Sequence, residues 1–101
     1  MLIYNITTKV DHAISMEWVQ WMKADHIPAI METGKFVRFN FSKLLDVDET
    51  DGVTYAVQFF ADQKTDYDQY ILQHSTHLRK EAMDKWGANF ISFRSLMEEV
   101  G

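Results

Sequence analysis

The strongest candidate for acid–base chemistry in this sequence is the segment Asp25-His26-Ile27-Pro28. Imidazole titrates near neutrality, so His26 is a candidate general base, and the carboxylate of Asp25 is its candidate partner. Pro28 cannot donate a hydrogen bond four residues back, which leaves a backbone carbonyl near residue 24 available to a polar ligand. The structural alternative is that His26 only braces a helix break. Neighbouring helical residues point about 100° apart, which weakens the pairing of Asp25 with His26.

Two tryptophans and two arginines are the candidate ligand-binding residues. Trp18 and Trp21 have helical spacing and could wall an aromatic pocket, although such a stripe more often belongs to a core. Arg38 and Arg94 are both expected on the open face of a sheet, where paired guanidinium groups could bind a carboxylate or a phosphate. The alternative for that face is a wet dimer interface, which is the interpretation we favour.

Two further patterns resemble metal sites but lack essential ligands. His74, His77 and Glu81 are neighbours on one helix, but no fourth ligand is evident. The segment 46–52 resembles a calcium loop, yet its glycine comes one place late and Val57 stands where a bidentate Glu belongs. Without cysteine, thiolate zinc sites and cysteine-ligated iron–sulfur clusters are excluded. We therefore expect no metal and no cofactor.

The length, composition and charge of the chain argue against some classes of binding partner. A chain of 101 residues, 47% of them hydrophobic, is expected to form one domain, residues 1–101, with a real core. Ten Lys and Arg against fifteen Asp and Glu give a net charge of -5, which argues against nucleic-acid binding. No apolar run approaches the ~20 residues of a membrane span, and the first residues lack the basic region of a signal peptide. We expect a cytoplasmic protein with no nucleic-acid or membrane partner.

The elements that must position these residues can be predicted from periodicity. Residues 2–10 alternate as a strand does, and helical spacing runs from Ile14 to a break near 25–27, followed by a short piece that ends at Gly34. Two extended segments, 36–45 and 53–60, flank an acidic turn. One long helix is expected over 62–86, ended by Gly87, and a last strand over 90–97.

This βαββαβ order predicts an α+β fold, the ferredoxin-like plait, in which two helices cover one face of a four-stranded antiparallel sheet. Each face then receives one set of alternate strand residues. On the helix-covered face we expect Tyr4, Ile6, Val37, Phe39, Phe41, Tyr55, Val57, Phe59, Ile91 and Phe93. On the open face we expect Asn5, Arg38, Asn40, Thr54, Ala56, Gln58, Ser92 and Arg94, with Ile3, Phe36 and Phe60 towards the ends.

Several short motifs make the chain resemble a family of short bacterial proteins, domain of unknown function 4286. They are Tyr4-Asn5-Ile6-Thr7, Trp18-x-x-Trp21-Met22-Lys23, His26-Ile27-Pro28, Thr33-Gly34-Lys35-Phe36, Gly52-Val53-Thr54-Tyr55 and Phe93-Arg94. The resemblance covers nearly the whole chain, and the His-Ile-Pro and Thr-Gly-x-Phe pieces are its most specific parts. Ser95 stands where the family usually has Thr, which keeps the hydroxyl.

The resemblance implies a fold rather than a chemistry. The family is similar to the dimeric α/β-barrel proteins, in which two plaits pack sheet against sheet. That superfamily includes cofactor-free monooxygenases, isomerases and haem enzymes, besides many proteins of unknown role. The leading hypothesis is a homodimer, formed through the sheet face, that binds a small organic molecule between helix and sheet.

Two alternatives stay open. One is a cofactor-free monooxygenase or isomerase with His26 as base, Trp18 and Trp21 as walls, and Arg94 or Arg38 on an anionic substrate. The other is a regulatory or protein-interaction module that uses the open sheet face. The enzyme hypothesis predicts a pocket that reaches His26. The interaction hypothesis predicts an exposed apolar patch that remains after any dimer forms.

Overall fold

All four predicted strands are present in the computed structural model, which describes residues 1–101. They are β1 (Leu2–Val10), β2 (Arg38–Lys43), β3 (Val53–Ala61) and β4 (Phe90–Glu98). They form one antiparallel sheet in the order β2-β3-β1-β4. With the helices on one face, this arrangement confirms the ferredoxin-like plait.

The first helical region is continuous rather than broken. Helix α1 (Ser15–Trp21) passes into a π-helical turn, Met22–His26, and then into α2 (Ile27–Glu32). The Ile27 N–H donates to the Met22 carbonyl, five residues back, which is the hydrogen bond of a wider turn. Because Pro28 brings no N–H, the chain accommodates it by widening one turn at the place where the sequence predicted a break.

The second helical region is divided, where the sequence predicted one helix over 62–86. Helix α3 (Lys64–Gln73) ends at His74, whose φ and ψ of -126° and -31° are not helical, and α4 (Ser75–Trp86) follows. The Ser75 hydroxyl donates to the Ile71 carbonyl at 2.7 Å. Back-bonding of this kind by serine bends helices, and here it lies next to the residue at which the two helices divide.

The core lies between the sheet and the helices. From the sheet, Tyr4, Val57 and Phe59 are buried, and the helices bury Trp18, Met22, Ile27, Ile30, Tyr70, Leu78 and Trp86 against them. No helix of the protein is both long enough and apolar enough to cross a membrane.

The predicted faces of β4 were wrong by one residue. Ser92 pairs with Thr8 and Arg94 pairs with Ile6, and cross-strand partners share a face of the sheet. Arg94 and Ser92 therefore lie on the helix-covered face. Ile91 and Phe93, predicted to be covered, lie on the open face, where they are 56% and 67% exposed.

The entry to β2 also departs from the prediction. Phe36 lies before the first residue of the strand, so the strand alternation does not apply to it. Phe36 is 5% exposed, and its ring centroid lies 5.0 Å from that of Tyr70 and 5.3 Å from that of Phe59. Val37, expected to be covered, is 53% exposed. Phe36 thus belongs to the core and not to the open face.

Candidate functional site: a cleft between the helices and the sheet

A cleft opens between the helices and the helix-covered face of the sheet. The empty space between its walls is about 480 Å³, a volume that includes the part open to solvent. Thirteen residues line it, eight of them hydrophobic. The lining consists of Ile6, Thr8, Trp18, Trp21, Met22, His26, Ile30, Val57, Arg79, Ala82, Phe90, Ser92 and Arg94.

The π turn places an aromatic pair in this cleft. The Trp21 ring stacks on the His26 ring with centroids 4.6 Å apart and an angle of 19° between the planes. The Trp86 and Trp21 rings meet edge to face, with their centroids 5.8 Å apart. Trp21 and His26 stand five residues apart, so the wide turn brings onto one side two rings that an α-helix would separate by about 140°.

His26 is held in its uncharged form. Burial lowers the pKa of His26 from 6.5 to about 4, and the positive charge of Arg94 acts in the same direction. Its Nδ1 atom is buried and has no hydrogen-bond partner. Nε2 is therefore the ring nitrogen left to a molecule in the cleft.

Two arginines bring positive charge to the cleft from opposite sides. Arg94 comes from β4, next to Ile6 of β1. Arg79 comes from α4, and its Nη2 donates to the Tyr4 hydroxyl at 3.0 Å. Salt bridges elsewhere involve Lys43, Lys64 and Lys80, and neither cleft arginine is in one.

A pair of hydroxyls lies on the sheet side of the cleft. The Thr8 and Ser92 side-chain oxygens are 2.8 Å apart across β1 and β4. Each hydroxyl can donate or accept, so the pair can adjust to either kind of ligand group. The same β1–β4 register pairs Arg94 with Ile6, so the hydroxyl pair and Arg94 lie on the same face of the sheet.

Four of the six predicted site residues come together here, and two do not. Trp18, Trp21, His26 and Arg94 line the cleft. Asp25 is exposed, and the π turn directs it away from the lining, so it does not partner His26. Arg38 lies on the open face, 3.6 Å above the centroid of the Phe60 ring, and the predicted pairing of Arg38 with Arg94 was wrong.

The polar residues that other elements contribute to the cleft were not predicted from the sequence. Arg79 stands four residues after Ser75 and three before Ala82 on α4, and it lines the cleft although it is exposed. That spacing was a usable signal, because residues three and four apart share one side of a helix and Ala82 belongs to the predicted apolar stripe. Thr8 and Ser92 carried no comparable signal, because hydroxyl residues are common in strands.

The two segments that resemble metal sites form no cluster of ligands. No group of three or more His, Asp or Glu side chains has metal-binding geometry. His77 is exposed on α4, and within the 46–52 turn the Asp48 carboxylate accepts from the Thr50 N–H at 2.9 Å.

Comparison with known proteins agrees with this architecture. A family model described as "Domain of unknown function (DUF4286)" matches residues 1–100. No curated protein sequence matches the chain. Among solved structures, HapK from Hahella chejuensis superposes with a TM-score of 0.71 at 12% identity, covering 100% of this chain and 94% of that one.

Two further structures are similar. A dimeric ferredoxin-like protein from an uncultured marine organism has a TM-score of 0.68 and 15% identity, covering 100% of this chain and 96% of that one. SnoaB, a cofactor-independent oxygenase from Streptomyces nogalater, has a TM-score of 0.64 and 15% identity, covering 97% and 92%. At identities this low, the likeness shows a shared fold and no shared activity.

Proposed function

Because the chain belongs to the DUF4286 family, which carries no assigned activity, we propose a function from its geometry: the protein binds a small organic molecule in the cleft between the helices and the sheet. The observation that carries this proposal is the lining itself. Apolar and aromatic walls surround a few convergent polar groups, which is the usual composition of a ligand site.

Binding is favoured over base catalysis by the state of His26. A general base works best when its pKa lies near the working pH. With a pKa of about 4, the His26 ring would hold an abstracted proton only weakly at neutral pH. Asp25 does not reach the ring to raise that pKa. The shared fold with a cofactor-independent oxygenase keeps an oxygenase as the second candidate.

In this proposal the protein is a homodimer, and its two chains associate through their open sheet faces. The face presents Ile91, Phe93 and Met97 along β4, and all three are at least 37% exposed. Apolar side chains in a row on an open sheet are the usual sign of a surface that another layer covers. Support also comes from a similar structure that is described as dimeric.

Ligand binding can be tested by screening a library of small organic fragments by nuclear magnetic resonance. The three tryptophan indole N–H signals report on the cleft, since Trp18 and Trp21 line it and Trp86 contacts Trp21. We expect fragments that shift these signals at millimolar concentration. Filling the cleft with Ala82→Leu should weaken their binding at least tenfold, because Ala82 lines the cleft.

Met83→Leu is the matched control for this experiment. Met83 is the next residue on α4, is 54% exposed and is not part of the lining. Its replacement should leave fragment binding unchanged. A library that shifts no indole signal, or fragments that bind Ala82→Leu as well as the original chain, would show that the cleft is not a ligand site.

A further inference from the structure

The chemistry of the cleft goes beyond the proposed function and specifies the class of its ligand. We infer that the ligand is a carboxylate with a flat apolar body, whose charged head is held by Arg79 and Arg94 with a further hydrogen bond from His26. This inference rests on the proposed function, because it requires that the cleft binds a small molecule.

The first argument is the distribution of charge. The chain has five more acidic than basic residues, yet the lining of the cleft contains two arginines and no acidic residue. No carboxylate of the protein pairs with Arg79 or Arg94. Both arginines are exposed, so water solvates them when the cleft holds no ligand. Two guanidinium groups that line one cleft without an internal counterion are nevertheless suited to bind an anion.

The second argument is that Arg79 is held in place. Its Nη2 donates to the hydroxyl of Tyr4, which is 3% exposed. The Tyr4 ring packs against two other tyrosine rings, and its centroid lies 5.3 Å from that of Tyr67 and 6.0 Å from that of Tyr70. One donor of the guanidinium is thereby used to fix the group, and its other N–H donors remain for a ligand. Such positioning lowers the entropy lost on binding.

The third argument concerns the proton on His26. A neutral imidazole carries one N–H, and a buried N–H without an acceptor is rarer and more costly than an unpaired acceptor atom. Since Nδ1 is buried without a partner, the proton belongs on Nε2. The ring therefore offers the cleft a donor. The guanidinium groups of Arg79 and Arg94 and the ring of His26 are then all hydrogen-bond donors towards the cleft. Such a set of donors suits a carboxylate and disfavours a cation.

The fourth argument concerns the body of the ligand. Trp18 and Trp21 wall the cleft next to Ile6, Ile30 and Val57. These side chains can bury a ring but cannot satisfy hydroxyl groups of a sugar or a polyol. An aromatic carboxylate matches both parts of the site, whereas inorganic phosphate would leave the apolar walls unused.

The test compares four aromatic acids with their primary amides: phenylacetate, indole-3-acetate, 2-naphthoate and salicylate. Each amide keeps the shape of its acid and loses the charge. We expect the carboxylates to bind at least tenfold more tightly than the amides, and Arg94→Gln and Arg79→Gln to remove most of that preference. Arg94→Lys should keep only part of it, because an ammonium lacks the bidentate fork.

Lys23→Gln is the control for the change in net charge, since Lys23 is exposed on the π turn and does not line the cleft. It should leave the preference unchanged. If amides and acids bind equally and Ala82→Leu weakens both, the ligand is not selected as an anion and only this inference fails. If neither set binds while fragments of the library do, only this inference fails, and if the library shifts no indole signal either, the proposed function fails as well. Inorganic phosphate that competes fully with the acids would show simple anion binding and overturn the aromatic class.

Discussion

At the scale of single residues, His26 makes the stability of the protein depend on pH. Its pKa is about 4 in the folded chain and 6.5 when unperturbed, with burial as the main cause. Between these values the unfolded chain binds a proton that the folded chain does not, so the free energy of unfolding decreases as the pH falls from 6.5 towards 4. The loss attributable to His26 is on the order of 3 kcal/mol at most.

Denaturant unfolding at a series of pH values measures this effect. The original chain should lose stability relative to His26→Gln across that window, because glutamine does not titrate. Carboxylates contribute to both proteins and cancel in the difference. His77→Gln, a change at an exposed histidine of α4, should keep the slope of the original chain. Equal slopes for the original chain and His26→Gln would show that the ring is not buried as described.

At the scale of elements, the order of strands and helices was predictable, and the faces were predictable only where alternation is unambiguous. In β1, even-numbered residues are more buried, as predicted. In β4, both faces carry large apolar residues, so the rule that apolar residues face the core selected the wrong face. The polar residues Ser92 and Arg94 lie on the helix-covered face and line the cleft, while Ile91 and Phe93 lie on the open face. The error therefore coincides with the candidate site.

Two glycines define the element boundaries through different physical requirements. Gly34 ends the first helical region with φ 75°, and a Cβ added there would meet no atom within 4 Å. Gly52 is buried at the start of β3, and its Cβ would collide with the Val10 carbonyl oxygen. Gly34→Ala should cost about 1 kcal/mol through backbone conformation alone. Gly52→Ala should cost about 3 kcal/mol, because the strands must separate.

Thermal and denaturant unfolding of the two variants, at one protein concentration, gives these costs. Gly101→Ala, at the exposed chain end, should change nothing and serves as the reference. Similar costs for Gly34→Ala and Gly52→Ala would mean that β1 and the start of β3 do not approach as closely as described.

At the scale of the whole molecule, the two faces of the sheet carry different kinds of side chain. The helix-covered face carries the polar groups of the cleft, and the open face carries the apolar row Ile91, Phe93 and Met97. Phe60 lies on the same open face but is already covered by the Arg38 guanidinium. The remaining exposed apolar area therefore lies along β4, so that strand should be the centre of a dimer interface.

Replacing the row tests the dimer directly. The double variant Ile91→Ser and Phe93→Ser removes apolar area from the open face. Serine is chosen because it adds no negative charge with which Arg38, on the same face, could form a salt bridge. Two central apolar anchors contribute about 100-fold or more to association. Light scattering on a sizing column should give twice the chain mass of 11.9 kDa for the original chain, and a mass that falls towards 11.9 kDa on dilution for the variant.

The control is Leu72→Ser, because Leu72 is 83% exposed on α3, away from the sheet face. It should leave the mass at twice the chain value at every dilution. An original chain that remains a monomer at high concentration would end the dimer proposal, and the row on β4 would then face solvent or a different protein. A dimer that Leu72→Ser disrupts and the double variant does not would place the interface on the helices, so that association would bear on the mouth of the cleft rather than on the open sheet.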